Sequence, residues 1–246
     1  MTDAELAAML AAQAGAVLLA LRADGRFAGK ALGAEGDRLA NALLCRELRA
    51  ARPADALLSE EEADSAARLS AARVWIIDPL DGTREYGEGR ADWAVHVALA
   101  VNGAPLVGAV ALAGGLVLRS DQPQIVPPPP AQLRLVVSRT RPAAEALALA
   151  AELDGEVIPM GSAGAKAMAV VLGQADIYLH SGGQYEWDSC APVAVALAHG
   201  LHASRLDGSA LVYNQADTYL PDLLICRTEH AARVLEYLKA RSGPSG

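Results

Sequence analysis

Apolar residues recur every three or four positions in two segments near the start of the chain. The first segment runs to about Leu21 behind Thr2 and Glu5, which have the spacing of a capping box. The second begins at about Asp37 and stops before Pro53, since proline cannot continue a helix. This periodicity predicts two helices joined by a glycine-rich loop.

Strand signals dominate the next part of the chain. Asn102-Gly103 is a type I′ hairpin signal between two of the predicted strands. Pro127 to Pro130 can enter neither a sheet nor a helix and predict a stiff connector. We therefore place a domain boundary there, between an N-terminal half (1–125) and a C-terminal half (131–246). The predicted strands of the first half are Ala56–Ser59, Val74–Ile77, Trp93–Val101, Leu106–Leu112 and Leu116–Arg119.

Strands and helices alternate after the connector, as in α/β units. Together with the first half, this pattern favours the α+β fold class. The predicted strands are Leu133–Val137, Glu156–Ile158, Ala175–Leu179 and Asp222–Cys226. The predicted helices are Pro142–Leu153, Ala163–Leu172, Ala191–Ala198 and a last one from about Glu229.

Composition and charge narrow the class of protein. Hydrophobic residues make up 52% of the chain, and 21 Lys and Arg stand against 29 Asp and Glu, a net charge of −8. This acidic balance, without a basic stripe, argues against a nucleic-acid polymer as partner. The first residues lack the basic segment of a signal peptide, and no apolar run reaches the length of about 18 residues that spans a membrane. Three cysteines without CxxC spacing are typical of reduced thiols, so we expect a cytoplasmic protein with no membrane partner.

The segment WIIDPLDGTREY concentrates candidate chemistry. An apolar strand delivers Asp78 to its end, Pro79 turns the chain, and Asp81 comes round to the same side. Gly82 allows close backbone approach, and Thr83 can open a helix whose N–H groups would receive an anion. Two carboxylates for hard cations beside an anion cradle suit magnesium-assisted phosphoryl transfer. Taken alone, the segment would more often be an N-cap and a surface turn.

Two further acidic segments favour the metal interpretation. LLSEEEADS places Glu60 at the end of another apolar run, and YEWDSCAP places Asp188 just ahead of a predicted helix. Each alone fits a solvated acidic patch or a helix N-cap. Four carboxylates at the ends of apolar segments together indicate a metal site.

The motifs SEE, DPLDGTREY and WDSCAP, in this order and spacing, resemble those of the inositol-monophosphatase-like superfamily of Mg²⁺-dependent, lithium-sensitive phosphatases. The resemblance covers nearly the whole chain. It implies a layered αβαβα sugar-phosphatase sandwich with two or three Mg²⁺ ions between its halves. The metal ligands that it implies are Glu60, Asp78, the Leu80 carbonyl, Asp81 and Asp188.

The resemblance also implies catalytic roles. Glu60 and Asp78 would hold the metal that activates the attacking water, and Thr83 would help to deprotonate that water. Asp81 and Asp188, with Asp78, would hold a second metal near the leaving oxygen. The same motifs imply a phosphate site formed by Asp81, Gly82, Thr83 and Asp188, with the amides of Gly82 and Thr83 as its cradle.

One segment departs from the family pattern. Relatives carry a Thr-x-Ala-Asp sequence before the second helix, and its aspartate pairs with the catalytic threonine. Here the region reads GKALGAEGDRLAN, so the threonine is absent and Lys30 aligns only loosely. Asp37 occupies the place of the aspartate, at the predicted start of the helix, and we assign it as the partner of Thr83. The glycine-rich stretch before it, Gly25 to Gly36, is predicted as an atypical loop.

The residues after Asp-Gly-Thr sort the branches of the superfamily. The sequence Arg84-Glu85-Tyr86 resembles the bisphosphate nucleotidases of the CysQ type, those of actinobacteria above all, rather than the inositol monophosphatases. The resemblance implies hydrolysis of the 3′-phosphate of adenosine 3′,5′-bisphosphate (PAP) to AMP and phosphate, in sulfur assimilation. VSRTRP and GSAGAK resemble the segments near the nucleotide, and their matching positions are Ser138, Arg139, Gly161, Ser162 and Lys166.

Other functions stay open at this point. The chain could hydrolyse inositol-1-phosphate or fructose-1,6-bisphosphate within the same superfamily, or serve as a non-catalytic metal- or nucleotide-binding regulator. The regulator would be expected to lack a metal ligand or Thr83, and the chain lacks none of them. We expect a monomer or a homodimer.

Several single residues also allow two interpretations. Arg139 and Lys166 could bind nucleotide, or could be a loop charge and a solvated helix face. Tyr185 and Trp187 could wall the substrate pocket or pack in the core. None of the five histidines has metal-ligand spacing, so they are expected to be structural or surface residues. Cys190 is expected to be a small buried residue.

Overall fold

Five alternating layers of helices and sheets make up the computed structural model, which describes residues 1–129 and 131–241. The last proline of the predicted connector, Pro130, and residues 242–246 of the C-terminal half lie outside the described residues. Two long helices open the chain, α1 (Asp3–Asp24) and α2 (Gly29–Ala51). The capping box of Thr2 and Glu5 is confirmed, since each side chain accepts a hydrogen bond from the other residue's backbone N–H.

The first sheet has the strand order β1-β2-β3-β4-β5, with β1 parallel to β2 and the remaining pairs antiparallel. A 3₁₀ turn (Ala66–Ser70) precedes β2, and the short helix α3 (Thr83–Gly87) follows it. Positive φ angles at Asn102 (50°) and Gly103 (80°) confirm the predicted hairpin. The strands are β1 (Ala56–Ser59), β2 (Arg73–Asp81), β3 (Ala94–Val101), β4 (Ala104–Leu112) and β5 (Val117–Arg119).

The second sheet has the order β7-β6-β8-β10-β9. Strands β7 and β8 run parallel to β6, whereas β10 is antiparallel to β8 and β9. The strands are β6 (Arg134–Ser138), β7 (Glu156–Met160), β8 (Ile177–Tyr185), β9 (His202–Ser204) and β10 (Tyr219–Cys226). The helices are α4 (Ala144–Glu152), α5 (Ala163–Val171), α6 (Glu186–Ala198) and α7 (Thr228–Arg241). The short edge strand β9 was not predicted.

Three apolar cores show the order of the layers. The first lies between α1 and α2 and one face of the first sheet. The second contains α5 and α6 together with the inner faces of both sheets, so these two helices form the middle layer. The third lies between the second sheet and α4 and α7. The α+β class and the αβαβα layering implied by the resemblance are therefore confirmed.

Helix α1 is long and apolar enough to cross a membrane by length and composition alone, with a mean hydropathy of 1.8 over its most apolar 18-residue window. Half of that window is buried inside the protein. Leu10 and Leu18 are fully buried, and α1 packs on both α2 and β4. The same composition serves a helix that packs one face on an apolar core, which is the position that α1 has in this structure.

The predicted loop at Gly25–Gly36 is wrong, because α2 begins at Gly29 and continues through this stretch. Its glycines permit close packing instead of a turn. A Cβ atom on Gly33 would lie 2.6 Å from Thr83 Cγ2, and one on Gly36 would lie 3.0 Å from carbons of Leu80 and Tyr86. The glycines therefore let α2 approach the segment that follows β2, although they lower helix propensity.

The predicted start of α6 at Ala191 is also wrong. This helix begins at Glu186, directly after β8, which continues to Tyr185 instead of ending at Leu179. Pro192 therefore lies in the second turn of α6 and not in its first. Asp188 consequently lies inside the first turn of α6 and not ahead of it.

Two glycine substitutions separate the helix propensity of glycine from its packing role. We expect Gly15→Ala in α1 to raise the free energy of unfolding by about 0.5–1 kcal/mol, because the new Cβ would meet only Ala111 Cβ, at 3.6 Å. Gly33→Ala should lower it, since its Cβ would clash with Thr83. Thermal and urea unfolding of both variants measure the difference. Equal stabilisation by both would show that α2 can move away from Thr83 without cost.

Candidate active site

Two of the predicted metal ligands lie at an irregularity in the pairing of β2 with β3. Asp78 pairs with His96, and Asp81 pairs with Ala94, so β2 has one residue more than β3 between these two pairs. This extra residue returns Asp81 to the face of the sheet that Asp78 occupies. Pro79 lies inside the irregularity, where a missing N–H breaks no ladder bond. The predicted turn is therefore a bulge within a strand.

The third ligand comes from the other half of the chain. Asp188 is the third residue of α6, and its Oδ2 accepts a hydrogen bond of 2.7 Å from the Tyr185 N–H. Asp78, Asp81 and Asp188 each offer a carboxylate oxygen within 4.8 Å of the others. Asp78 and Asp81 are buried, and Asp188 is half-buried. The structure thus brings three predicted ligands, two from β2 and one from α6, to one point.

Glu60 follows β1 directly, and its N–H lies 3.4 Å from the Ile77 carbonyl oxygen of β2. Because β1 and β2 are parallel, Glu60 and Asp78 lie at the same end of these two strands. Glu60 stands beside the three-carboxylate group and is more exposed than its members. The carbonyl of Leu80, the remaining predicted ligand, accepts a hydrogen bond of 3.0 Å from the Thr83 hydroxyl.

The carboxylates repel one another, and most of them hold protons more tightly than usual. Burial, followed by the negative charge of Asp81, raises the pKa of Asp188 to about 7. Partial burial and the same charge raise the pKa of Glu60 to about 7. Burial and the charge of Glu60 raise the pKa of Asp78 far above its usual range. A site with this much uncompensated negative charge fits one or more divalent cations with oxygen ligands.

Asp81 differs from its neighbours because the protein supplies it with donors. Although burial opposes ionisation, the nearby His96 ring and a hydrogen bond from Ser162 lower the pKa of Asp81 to about 2. Asp81 Oδ2 accepts hydrogen bonds from Ser162 Oγ (2.5 Å) and Gly164 N (2.6 Å), and Oδ1 accepts one from Ala163 N (3.1 Å). These groups form the N-terminus of α5, where a negative charge is favoured. Ser162, predicted to bind substrate, therefore binds a predicted metal ligand in this structure.

Asp37 and Thr83 lie together, at the contact of α2 with the segment after β2. Burial, with the charge of Glu61, raises the pKa of Asp37 to about 7, and a hydrogen bond to Thr83 opposes that rise. A group of this pKa can accept or release a proton near neutral pH. Asp37 projects from the third turn of α2 and not from the end of a loop. The two residues nevertheless lie next to each other, as predicted.

A cavity of about 240 Å³ extends from Thr83 towards the second sheet. All five residues predicted to lie near the nucleotide line it, together with the basic side chains of Arg84 and Arg141. Its lining comprises Thr83, Arg84, Glu85, Ser138, Arg139, Thr140, Arg141, Met160, Gly161, Ser162 and Lys166.

Arg139 is not a solvated loop charge. Its guanidinium donates to Asp92 Oδ2 and lies 3.5 Å from Glu85 Oε1. The Gly161 N–H donates to the same Asp92 oxygen at 2.6 Å. Asp92 therefore holds Arg139 and the turn before α5 in fixed positions beside the cavity.

Lys166 is buried, so the alternative of a solvated helix face is wrong. It lies on α5, and α5 is enclosed between the two sheets. Its Nζ donates to the carbonyl oxygens of Gly161 (3.2 Å) and Ser162 (2.6 Å) and lies 5.3 Å from the ring centroid of Tyr178. Burial lowers the pKa of Lys166. The side chain both lines the cavity and fixes the turn that binds Asp81.

Aromatic side chains stand next to Asp188. Tyr185 and Trp187 stack with their ring centroids 4.9 Å apart, and Tyr219 meets Tyr185 edge-on at 5.8 Å. Tyr185 and Tyr219 are 42% and 41% exposed, whereas Trp187 packs against the middle core. Tyr185 and Tyr219 thus form an open aromatic surface beside the carboxylates.

Sequence reasoning missed three polar residues of the site. His96, expected to be structural, lies 3.3 Å from Asp81, and Asp92 and Arg141 had been given no role. The available signals were a histidine inside the apolar strand WAVHVALA and a second arginine in VSRTRP. Cys190 is fully buried, as expected.

Two relatives of this chain carry a name that states their substrate. A protein of Mycobacterium leprae named 3′-phosphoadenosine 5′-phosphate phosphatase is 52% identical over 255 residues, covering 97% of this chain and 94% of the relative. A protein of the same name from Mycobacterium bovis is 55% identical over 234 residues, covering 90% and 88%.

Solved structures share the fold. CysQ from Bacteroides thetaiotaomicron matches with a TM-score of 0.76 at 24% identity, covering 90% of this chain and 96% of that structure. Inositol monophosphatase II from Staphylococcus aureus matches with a TM-score of 0.78 at 19% identity, covering 94% and 91%. A model of the inositol monophosphatase family matches residues 4–241. The resemblance of the motifs is thereby confirmed, and the chain belongs to the inositol monophosphatase family.

Proposed function

We propose that this protein is a Mg²⁺-dependent phosphatase that hydrolyses the 3′-phosphate of PAP to AMP and phosphate in the cytoplasm, as a step of sulfur assimilation. The observation that carries the proposal is the meeting of three carboxylates, from both halves of the chain, beside a cationic cavity. The names of the mycobacterial relatives support the choice of substrate.

The donor set suits two or three Mg²⁺ ions, since magnesium prefers carboxylate and carbonyl oxygens. Glu60, Asp78 and the Leu80 carbonyl would hold one ion, and Asp78, Asp81 and Asp188 a second. When bound, such ions polarise the phosphoryl group, activate water and stabilise the leaving oxygen. To bind them, the carboxylates must give up the protons that the metal-free site retains.

Asp37 and Thr83 would perform the proton transfer. The Thr83 hydroxyl donates to the Leu80 carbonyl in this structure. In the reaction it would donate to the neighbouring Asp37 instead, and its oxygen would accept a hydrogen bond from the attacking water and orient it. Asp37, with a pKa of about 7, would then take the proton. The predicted phosphate cradle of the Gly82 and Thr83 amides stays part of this proposal.

The cavity explains how a bisphosphate could be selected. Arg84, Arg139, Arg141 and Lys166 line it against one carboxylate, that of Glu85. With the 3′-phosphate at the carboxylate-bound ions, the 5′-phosphate would enter this cationic space, where guanidinium groups bind phosphate well. The exposed face of Tyr185, next to Asp188, would support the base by stacking.

The first prediction concerns the metal-free protein. Asp37, Glu60 and Asp188 have pKa values of about 7 in the folded state and about 4 when unfolded. Between these values the folded state keeps protons that the unfolded state has lost, and above pH 7 it must ionise against burial and repulsion. Stability in EDTA should therefore fall as the pH rises from 5 to 8.

Mg²⁺ should restore the lost stability, and more strongly at pH 8 than at pH 5. Melting temperatures from pH 5 to 8, in EDTA and in Mg²⁺, measure both effects. Asp78→Asn serves as the control, because it removes a repelling carboxylate and should flatten the fall with pH. A melting temperature in EDTA that is constant over this range would contradict the role of carboxylate repulsion.

The second prediction concerns the substrate. With Mg²⁺, PAP should exceed inositol-1-phosphate and fructose-1,6-bisphosphate by tenfold or more in kcat/KM, which is about 1.4 kcal/mol of transition-state preference. Phosphate release measures this, and Asp188→Asn should be folded but inactive. Equal rates with the sugar phosphates would keep the metal chemistry but remove the nucleotide site. No release from any of the three would favour the non-catalytic regulator.

The third prediction concerns the binding of the 5′-phosphate by Arg141. Arg141→Ala should lower kcat/KM for PAP about 10- to 100-fold, because a hydrogen bond to a charged group contributes about 1.5–3 kcal/mol. Adenosine 3′-monophosphate, which lacks the 5′-phosphate, should be turned over at an unchanged rate. Arg119→Ala, which removes an arginine paired with Asp121 outside the cavity, is the matched control. Equal losses with both nucleotides would place Arg141 away from the 5′-phosphate.

A further inference from the structure

His96 is a fully buried polar side chain that the proposed chemistry does not use. It lies on β3 directly across from Asp78, in a strand whose other residues are apolar. A buried imidazole is costly unless its ring nitrogens find partners. An alanine or valine at this position would fill the core without the free-energy cost of burying a polar ring. The partners of the ring therefore indicate what the histidine does.

The two ring nitrogens contact two different segments that carry the carboxylates. Nδ1 donates to the Trp187 carbonyl at 2.9 Å, because a carbonyl oxygen can only accept. Trp187 immediately precedes Asp188 in the first turn of α6. Nε2 makes no hydrogen bond among the described residues and lies 3.3 Å from Asp81 Oδ2, which is an ion pair when both ring nitrogens carry a proton. One ring thus spans from the bulged end of β2 to the start of α6.

Gly164 makes room for this ring. A Cβ atom at Gly164 would lie 2.0 Å from His96 Nε2, so no larger residue fits while the ring keeps its place. The Gly164 N–H donates to the same oxygen, Asp81 Oδ2, at 2.6 Å. Oδ1 accepts only the longer bond from Ala163 among the described residues, and it therefore retains a lone pair for a cation.

We propose that His96 is a positioning residue that fixes Asp81 and Asp188 relative to each other before a cation binds. The proposal rests on the metal site of the proposed function. Groups that hold the ligands of a metal, without touching the metal, typically change its affinity about 10- to 100-fold when they are removed. His96 differs from an ordinary ligand partner because it acts on ligands from both halves of the chain.

Two substitutions separate the contact made by Nδ1 from the contact made by Nε2. The amide nitrogen of asparagine occupies nearly the place of Nδ1, and that of glutamine nearly the place of Nε2. His96→Asn therefore keeps the donor to Trp187 and loses the contact with Asp81, whereas His96→Gln does the reverse. His199→Asn is the matched control, since His199 is also buried and its Nδ1 also donates to a backbone carbonyl, that of Val195.

The measurement is the dissociation constant of Mg²⁺ by titration calorimetry, without substrate. We expect His96→Asn and His96→Gln each to weaken Mg²⁺ binding about 10-fold or more, and His199→Asn to leave it unchanged. The loss of phosphatase activity in the His96 variants should be reversed by excess Mg²⁺, with KM for PAP at saturating Mg²⁺ unchanged. A purely structural role would produce a loss that excess Mg²⁺ does not reverse.

Folded His96 variants with Mg²⁺ affinity within twofold of the wild type would overturn the proposal. A wild type that binds no Mg²⁺ would remove the metal site itself, which is a distinct result. If the His96 variants do not fold, Gly164→Ala tests the same point, because it displaces the ring but keeps the histidine and the backbone donor. Unchanged Mg²⁺ affinity in that variant would also overturn the proposal.

Discussion

Mutual repulsion among buried carboxylates is the constraint on which the rest of this structure depends. Asp78, Asp81 and Asp188 come within 4.8 Å of one another at the junction of the two halves. Folding alone would not favour such a cluster, since each negative charge raises the cost of the next. The protein stabilises one member, Asp81, with the N-terminus of α5 and His96, and leaves the others with raised pKa values. The remaining repulsion is the driving force that favours a divalent cation.

The middle layer of helices turns this local problem into a property of the whole fold. Helices α5 and α6 pack against both sheets, and each begins at the carboxylate cluster. The turn before α5 is held by Lys166 and Asp92, and its Ser162 has a positive φ of 45° that a residue other than glycine rarely adopts. This backbone strain persists because the surrounding hydrogen bonds determine it, as is typical of functional sites.

Sequence patterns predicted the parts of this architecture that depend on local chemistry. The capping box, the hairpin and the order of strands and helices follow from spacing, and DPLDGT with WDSCAP identified the three carboxylates. Failures occurred where tertiary packing overrode a local signal. Glycines of α2 suggested a loop, yet they serve the approach to Thr83. A solvated helix face was one of two interpretations of Lys166, yet the residue lies between two sheets. His96 was missed because its partners are distant in sequence.

An acidic protein that binds a doubly phosphorylated anion needs a local reversal of charge. The chain carries a net charge of −8, yet three arginines and a buried lysine line the cavity beside the carboxylates. Positive charge from bound cations would neutralise the carboxylates, so the site as a whole would become attractive to phosphate only once metal is present. Binding of metal and of substrate would then be coupled through electrostatics alone. The arginines would orient the substrate, whereas the ions would determine whether it binds.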